Sequence, residues 1–164
     1  MTTDIFIPEN TEPVRIQMLA DVPQYSGMLA RWYFHEWGRF YGQKTIGDIE
    51  DSARARAQRN RLPLALVATH RGEPVGTVSL KEQDMEGVHG YSPWLASLYV
   101  REDYRKKRVG AGLVAACLQT AGELNYDRIY LWTPSASAFF SRLGWVQVEM
   151  RMYKGESVTI MWQE

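Results

Sequence analysis

Apolar positions alternate along some stretches of the chain and recur every three or four residues along others, and that contrast divides it into elements. Residues 13–19 (PVRIQML) set Val14, Ile16 and Met18 against polar neighbours, a period of two that predicts a strand. Tyr25, Met28, Leu29, Trp32, Tyr33, Trp37 and Phe40 then fall at helical spacing and give a helix with an aromatic face. Asp21 stands where it can cap this helix, with Pro23 in the first turn and Gln24 at the capping-box spacing. Thr45 and Asp48 repeat that signal ahead of Ile46, Ile49, Ala53 and Ala57, a shorter helix ending near Asn60 whose Arg54, Arg56, Arg59 and Arg61 read as a solvated face.

Residues 62–69 and 75–80 form a hairpin about the turn HRGEP. A polar loop over 81–92 follows, then a strand at 94–100. The next helix places Val109, Leu113, Cys117, Ala121 and Leu124 on one face, with Asn125 as a left-handed cap. A strand at 128–133, a short helix at 134–143 stopped by Gly144, and a hairpin of 145–152 with 157–162 complete the chain. The order β-α-α-β-β-β-α-β-α-β-β predicts a mixed α/β sheet of about seven strands with helices on both faces. Residues 1–12 read as a leader and 13–164 as a single domain.

Charge narrows the range of partners. Nineteen basic and nineteen acidic residues cancel, so no overall field draws the chain to nucleic acid or to an anionic membrane. The cluster Arg105, Lys106, Lys107 and Arg108 is local and calls for a local ligand. A nucleic-acid reading of Arg101–Arg108, with Tyr104 interleaved, lacks the wider basic stripe such surfaces need. Cys117 is the one cysteine; it cannot close an internal disulfide and reads as packing on an apolar helix face. The first residues lack the basic and apolar regions of a signal peptide, which leads us to expect a cytoplasmic setting; no metal site is expected.

The most informative stretch runs from Ser97 to Leu118 (SLYVREDYRKKRVGAGLVAACL). It joins an apolar strand to a basic turn that opens into a helix bearing Gly110, Ala111 and Gly112. Main-chain N–H groups and the positive end of the helix dipole meet there, an arrangement suited to phosphate or pyrophosphate.

This stretch, with TPSASAFFSRLGW and a terminal hairpin downstream, resembles the GNAT superfamily of N-acyltransferases. The family pattern after the strand is Arg or Gln, two residues, Gly, one residue, and Gly or Ala. Aligning Arg105 with its first position puts Val109 and Leu113 at apolar steps and Gly110 at the second glycine; Arg108 stands where a glycine is usual. A competing register on Lys107, Gly110 and Gly112 moves Val109 and Leu113 off those steps. Thr133, Ala136, Phe139-Phe140 and Leu143-Gly144-Trp145 match a second family segment.

The resemblance implies a GNAT-like, mostly antiparallel, splayed sheet and acetyl-CoA as acyl donor. It implies that the strand splays after Leu98, leaving main-chain groups of Leu98, Tyr99 and Val100 for the pantetheine arm. Amides from Arg105, Lys106, Lys107, Arg108, Val109, Gly110 and Ala111 would cradle the pyrophosphate. The implied reaction is acetyl transfer to a primary amine of a small molecule or peptide. Two positions that often carry a base and an acid in relatives are here Ala96 and Phe140. An α-amine, with a pKa of about 8, and a thiol, at about 8.5, still permit the reaction unassisted. General acid–base help is worth about 10²–10⁴-fold, so its lack slows the step without forbidding it. Glu82 and His89, on the loop before the strand, are catalytic candidates, and Trp32 and Glu36 on the aromatic helix are substrate candidates. The same vacancies at Ala96 and Phe140 also suit a non-catalytic acyl-CoA-binding sensor. Both a monomer and a homodimer are open.

Overall fold

The computed structural model describes residues 2–7 and 12–164. Eight strands form one open sheet, one more than the sequence pattern indicates. The extra strand is β1 (Thr2–Ile5), which pairs antiparallel with β2 (Val14–Met18) inside the segment expected to be a leader. Four residues with no clear alternation carry little signal by themselves; pairing with β2 makes this strand. Residues 8–11 of that segment lie outside the described residues.

After β2 the chain crosses one face of the sheet as two helices, α1 (Ser26–Trp37) and α2 (Ile46–Ala55). Asp21 does not cap α1: it ends one short 3-10 turn, a second (Pro23–Tyr25) intervenes, and the carboxylate instead pairs with Arg59. At α2 the expected capping box is complete, with Asp48 N donating to Thr45 Oγ1 at 3.2 Å and Thr45 N to the Asp48 carboxylate at 2.8 Å. β3 (Leu64–His70) and β4 (Glu73–Lys81) form the hairpin, and β5 (Trp94–Val100) pairs antiparallel with β4.

Then come α3 (Val109–Glu123), β6 (Ile129–Thr133), α4 (Ser137–Arg142) and the hairpin β7 (Val146–Tyr153) and β8 (Glu156–Gln163). The sheet order is β1-β2-β3-β4-β5-β6-β8-β7, and only β5 and β6 run parallel. Asn125 (φ +67) and Gly144 (φ +93) end α3 and α4 in the left-handed conformation.

Alternation along β3 sorts the core into two layers. Leu64, Leu66 and Ala68 face Leu113, Cys117 and Ala121 of α3, while Ala65 and Val67 face Leu29, Tyr33 and Ile49 of α1 and α2. A third cluster, Met85, Val88, Trp94, Val158 and Ile160, lies where the 82–93 loop covers the β5–β8 region. Gly112 explains how α3 reaches β1: a Cβ there would come within 2.2 Å of Ile5 Cδ1. A missing side chain on α3 makes room for the strand that the sequence pattern does not reveal.

Candidate active site

The sheet opens between β5 and β6. Their pairing consists of one rung, Trp94 opposite Tyr130, braced by Tyr130 N donating to Pro93 O at 2.9 Å. From Leu95 onward β5 has no ladder partner on that side among the described residues, so the strands part earlier than the Leu98 expected from the resemblance. On its other side β5 bulges against β4. Ala96 faces Ser79 and Tyr99 faces Thr77, so Ser97 and Leu98 together oppose the single residue Val78. Ser97 takes φ +54, a conformation unusual for a side-chain-bearing residue.

The parted strands bound a cleft of about 670 Å³. Leu95–Leu98 form one wall and Leu131–Ala136 the other, with Phe139 and Phe140 of α4 beside them. Ala96 and Phe140, the two positions where relatives often keep a base and an acid, both line it and are both buried and apolar. The rim comes from the end of α1 and the 82–93 loop.

The sequence candidates separate on this frame. His89 and Glu36 line the cleft, and the Glu36 carboxylate makes no hydrogen bond or ion pair among the described residues. Glu82 is exposed and is not among the lining residues; its carbonyl accepts from Ser92 Oγ at 2.9 Å. Trp32 is also outside the lining and packs on Tyr99, ring centroids 4.9 Å apart. Leu98 lines the cleft, whereas Tyr99 and Val100 do not. The carbonyl of Val100 accepts from Arg105 Nε at 2.9 Å, tying the turn to the end of β5.

Three residues of the site escape the sequence reading. Asp84 holds Lys81 at 3.1 Å and accepts from the Trp132 indole at 2.9 Å, fixing the loop against β6. Tyr41 lines the cleft beyond α1, and burial raises its phenol pKa, keeping the hydroxyl neutral. Arg56, expected on a solvated face, is instead 4% exposed. Its guanidinium donates to Ser79 Oγ at 2.9 Å, Ser97 Oγ at 3.1 Å and Ser52 Oγ at 3.3 Å, and lies 4.6 Å from the Tyr33 ring centroid. Arg56 stands seven residues from Ile49 and three from Ala53, in line with the buried face of α2, and it is the arginine's charge that reads as solvated.

Beyond β5 the basic turn is shaped by two left-handed residues, Lys106 (φ +61) and Arg108 (φ +67). Arg108 therefore adopts the conformation a glycine takes without steric cost, so its side chain leaves the turn's form intact. Among the described residues, no main-chain acceptor takes the amides of Lys106 through Ala111; Gly112 N is the first to find one, on Arg108 O at 3.0 Å. Six successive N–H groups are thus left for a ligand at the start of α3. Tyr104 anchors the turn through a 2.6 Å hydrogen bond with His70 Nδ1. Lys106 and Arg108, both exposed, have no acidic partner among the described residues, whereas Arg101 is held by Asp103 at 2.7 Å and Glu73 at 3.4 Å.

A slot edged by unpaired strand and ending in a run of free amides has the form that suits an extended, anion-bearing ligand at a split sheet. The model of the acetyltransferase (GNAT) family matches residues 27–145, and the chain belongs to that family. The fold is shared with an aminoglycoside 6'-acetyltransferase type Ii, at TM-score 0.70 and 18% identity over 90% of this chain and 95% of that one. It is shared too with an aminoglycoside 6'-N-acetyltransferase complexed with coenzyme A, at TM-score 0.67 and 16% identity over 99% and 96%. An acetyltransferase of the GNAT family from Streptococcus pneumoniae gives TM-score 0.65 and 15% identity over 90% and 96%. No curated protein matches the chain in sequence. No described helix is long and apolar enough to cross a membrane, and no described group of histidine, cysteine and acidic side chains is placed to hold a metal.

Proposed function

We propose that the chain transfers an acetyl group from acetyl-CoA to a primary amine of a small molecule or peptide. The observation that carries the reading is the run of unpartnered amides from Lys106 to Ala111, continuous with the open side of β5. A pyrophosphate suits those amides and the start of α3, with Lys106 and Arg108 at hand for further phosphate charge. The open main chain of β5 suits the amide-bearing pantetheine arm as a strand would. That one of the similar structures holds coenzyme A agrees with this.

Acetyl-CoA, when bound, supplies an activated carbonyl. The residues around it orient and desolvate: Leu95, Ala96, Leu98 and Phe140 give apolar walls, and the parted strands leave room for an acceptor entering between α1 and the 82–93 loop. Glu36, with its unpaired carboxylate on the rim, is the group we assign to attract the amine. An amine of low pKa suits the site best, since neither Ala96 nor Phe140 can move a proton.

Calorimetry with acetyl-CoA, followed by release of free thiol in the presence of a panel of amines, tests the reading. Saturable binding and amine-dependent release are expected, and absence of saturable binding refutes it. Binding without acceleration by any amine points instead to an acyl-CoA sensor.

A further inference from the structure

The position of Ala96, where relatives often keep a carboxylate, is flanked here by a buried cation. Ala96 lies opposite Ser79 in register and next to Ser97, and the same nitrogen of Arg56, Nη1, donates to both serine hydroxyls. The groups that face this guanidinium are Ser52 from α2, Ser79 from β4, Ser97 from β5 and the Tyr33 ring from α1, with the Tyr41 hydroxyl in electrostatic reach. None is a carboxylate. Asp84, which also acts on Tyr41, is held by Lys81. The Nε of Arg56 is buried with no hydrogen-bond partner.

A buried arginine with only neutral partners is costly to keep, since a charge removed from water ordinarily requires a counter-charge. Its field is correspondingly little screened. Ser97, whose hydroxyl it holds, and Ala96 beside it both line the cleft. We infer that Arg56 is a positioning residue for acetyl transfer: it holds the Ser97 bulge and provides, in place of the absent acid and base, a fixed positive field that favours negative charge at the thioester.

The inference rests on the function proposed above. In that reaction the amine lone pair forms the C–N bond, the C–S bond breaks with its electron pair on sulfur, and the surplus proton on nitrogen passes to solvent. A cation behind the cleft wall favours the charge that develops on the carbonyl oxygen, and then the departing thiolate, without itself donating or accepting a proton. It also disfavours the ammonium form of the acceptor. Phe140 cannot protonate the leaving sulfur, and a cation behind the wall eases its departure as the thiolate.

The test needs no acceptor. CoA is bound to the protein and its thiol titrated by the ultraviolet absorbance of the thiolate, in wild type, Arg56→Met and Arg56→Lys. An opposite charge close by lowers such a pKa by about one unit or more. The thiol of CoA bound to wild type is therefore expected to titrate about one unit below that of free CoA measured alongside. Arg56→Met is expected to restore that value and Arg56→Lys to keep most of the shift. A bound thiol in wild type at or above the free value overturns the inference, even if Arg56→Met does not fold. So does a titration that stays at the wild-type value in an Arg56→Met variant that binds CoA normally. Absence of CoA binding in wild type overturns the proposed function itself, which separates the two failures.

Discussion

Replacing Gly110 by glutamate separates stability from ligand binding, because the two should move in opposite directions. Gly110 is the second residue of α3, and a Cβ placed on it meets Phe139 Cζ at 3.5 Å and Val100 Cγ2 at 3.7 Å, ordinary contacts. The backbone therefore accepts a side chain. A good helix former such as alanine or glutamate gains up to about 1 kcal/mol over glycine in a helix, and an acidic one near the N-terminus about 0.3–1 kcal/mol more. For a chain of this size the Tm should rise by about 2–6 °C. The same carboxylate would stand between β5 and α4 at the mouth of the amide cradle. At about 6 Å from one unit of phosphate charge, with an effective dielectric constant of about 20, the repulsion is about 3 kcal/mol, or about a hundredfold in Kd. Calorimetry with CoA and a thermal melt measure both quantities. Gly110→Ala, which fills the same space without charge, should share the gain in Tm and bind CoA within about tenfold of wild type. Binding by Gly110→Glu within about threefold of wild type would refute the placement of the phosphates on this turn.

Other outcomes follow from the same coordinates. Burial pushes the Cys117 thiol up to about 12, so it should resist alkylation at pH 8 until the chain unfolds; because the folded form holds that proton more tightly, stability should fall as pH rises from about 9 towards 12. Thr45→Ala removes half of the capping box on α2 and should cost about 1 kcal/mol, read as a Tm drop of about 2–4 °C with CoA binding unchanged. Glu36→Gln should raise KM for the acceptor amine while leaving acetyl-CoA affinity alone, whereas Glu82→Ala, off the cleft, should leave both within about twofold.

Elements carried by local chemistry were the ones legible in advance. The Thr45–Asp48 box, the Asn125 cap, the β3–β4 hairpin and the basic turn into α3 each depend on residues within one or two turns of chain. Features that depend on distant partners were not. β1 exists through pairing with β2 and through the space Gly112 leaves for Ile5. Asp21 has a capping residue's position but a better partner in Arg59, thirty-eight residues away. Arg56 shows the same limit: its burial comes from two serines on different strands, joined only when β5 bulges against β4. In the site, the turn proposed to hold the donor is continuous in sequence. The acceptor side gathers α1, the 82–93 loop and β6 from three separate regions, which is why it offered only scattered candidates.

The single rung between β5 and β6 turns the sheet into a wedge with a fixed apex. Five strands lie on one side of it and three on the other, and the Tyr130 ring stacks on Tyr91 at 4.8 Å and lies 6.1 Å from that of Trp94. From that apex to the end of β5 is six residues, a lever of about 20 Å. A rotation of about 5° at the rung therefore moves the far end of β5 by about 2 Å. The spacing of the parted strands is set at its narrow end, where the rings of Tyr91 and Tyr130 act as a shim whose thickness is felt at the far end of β5.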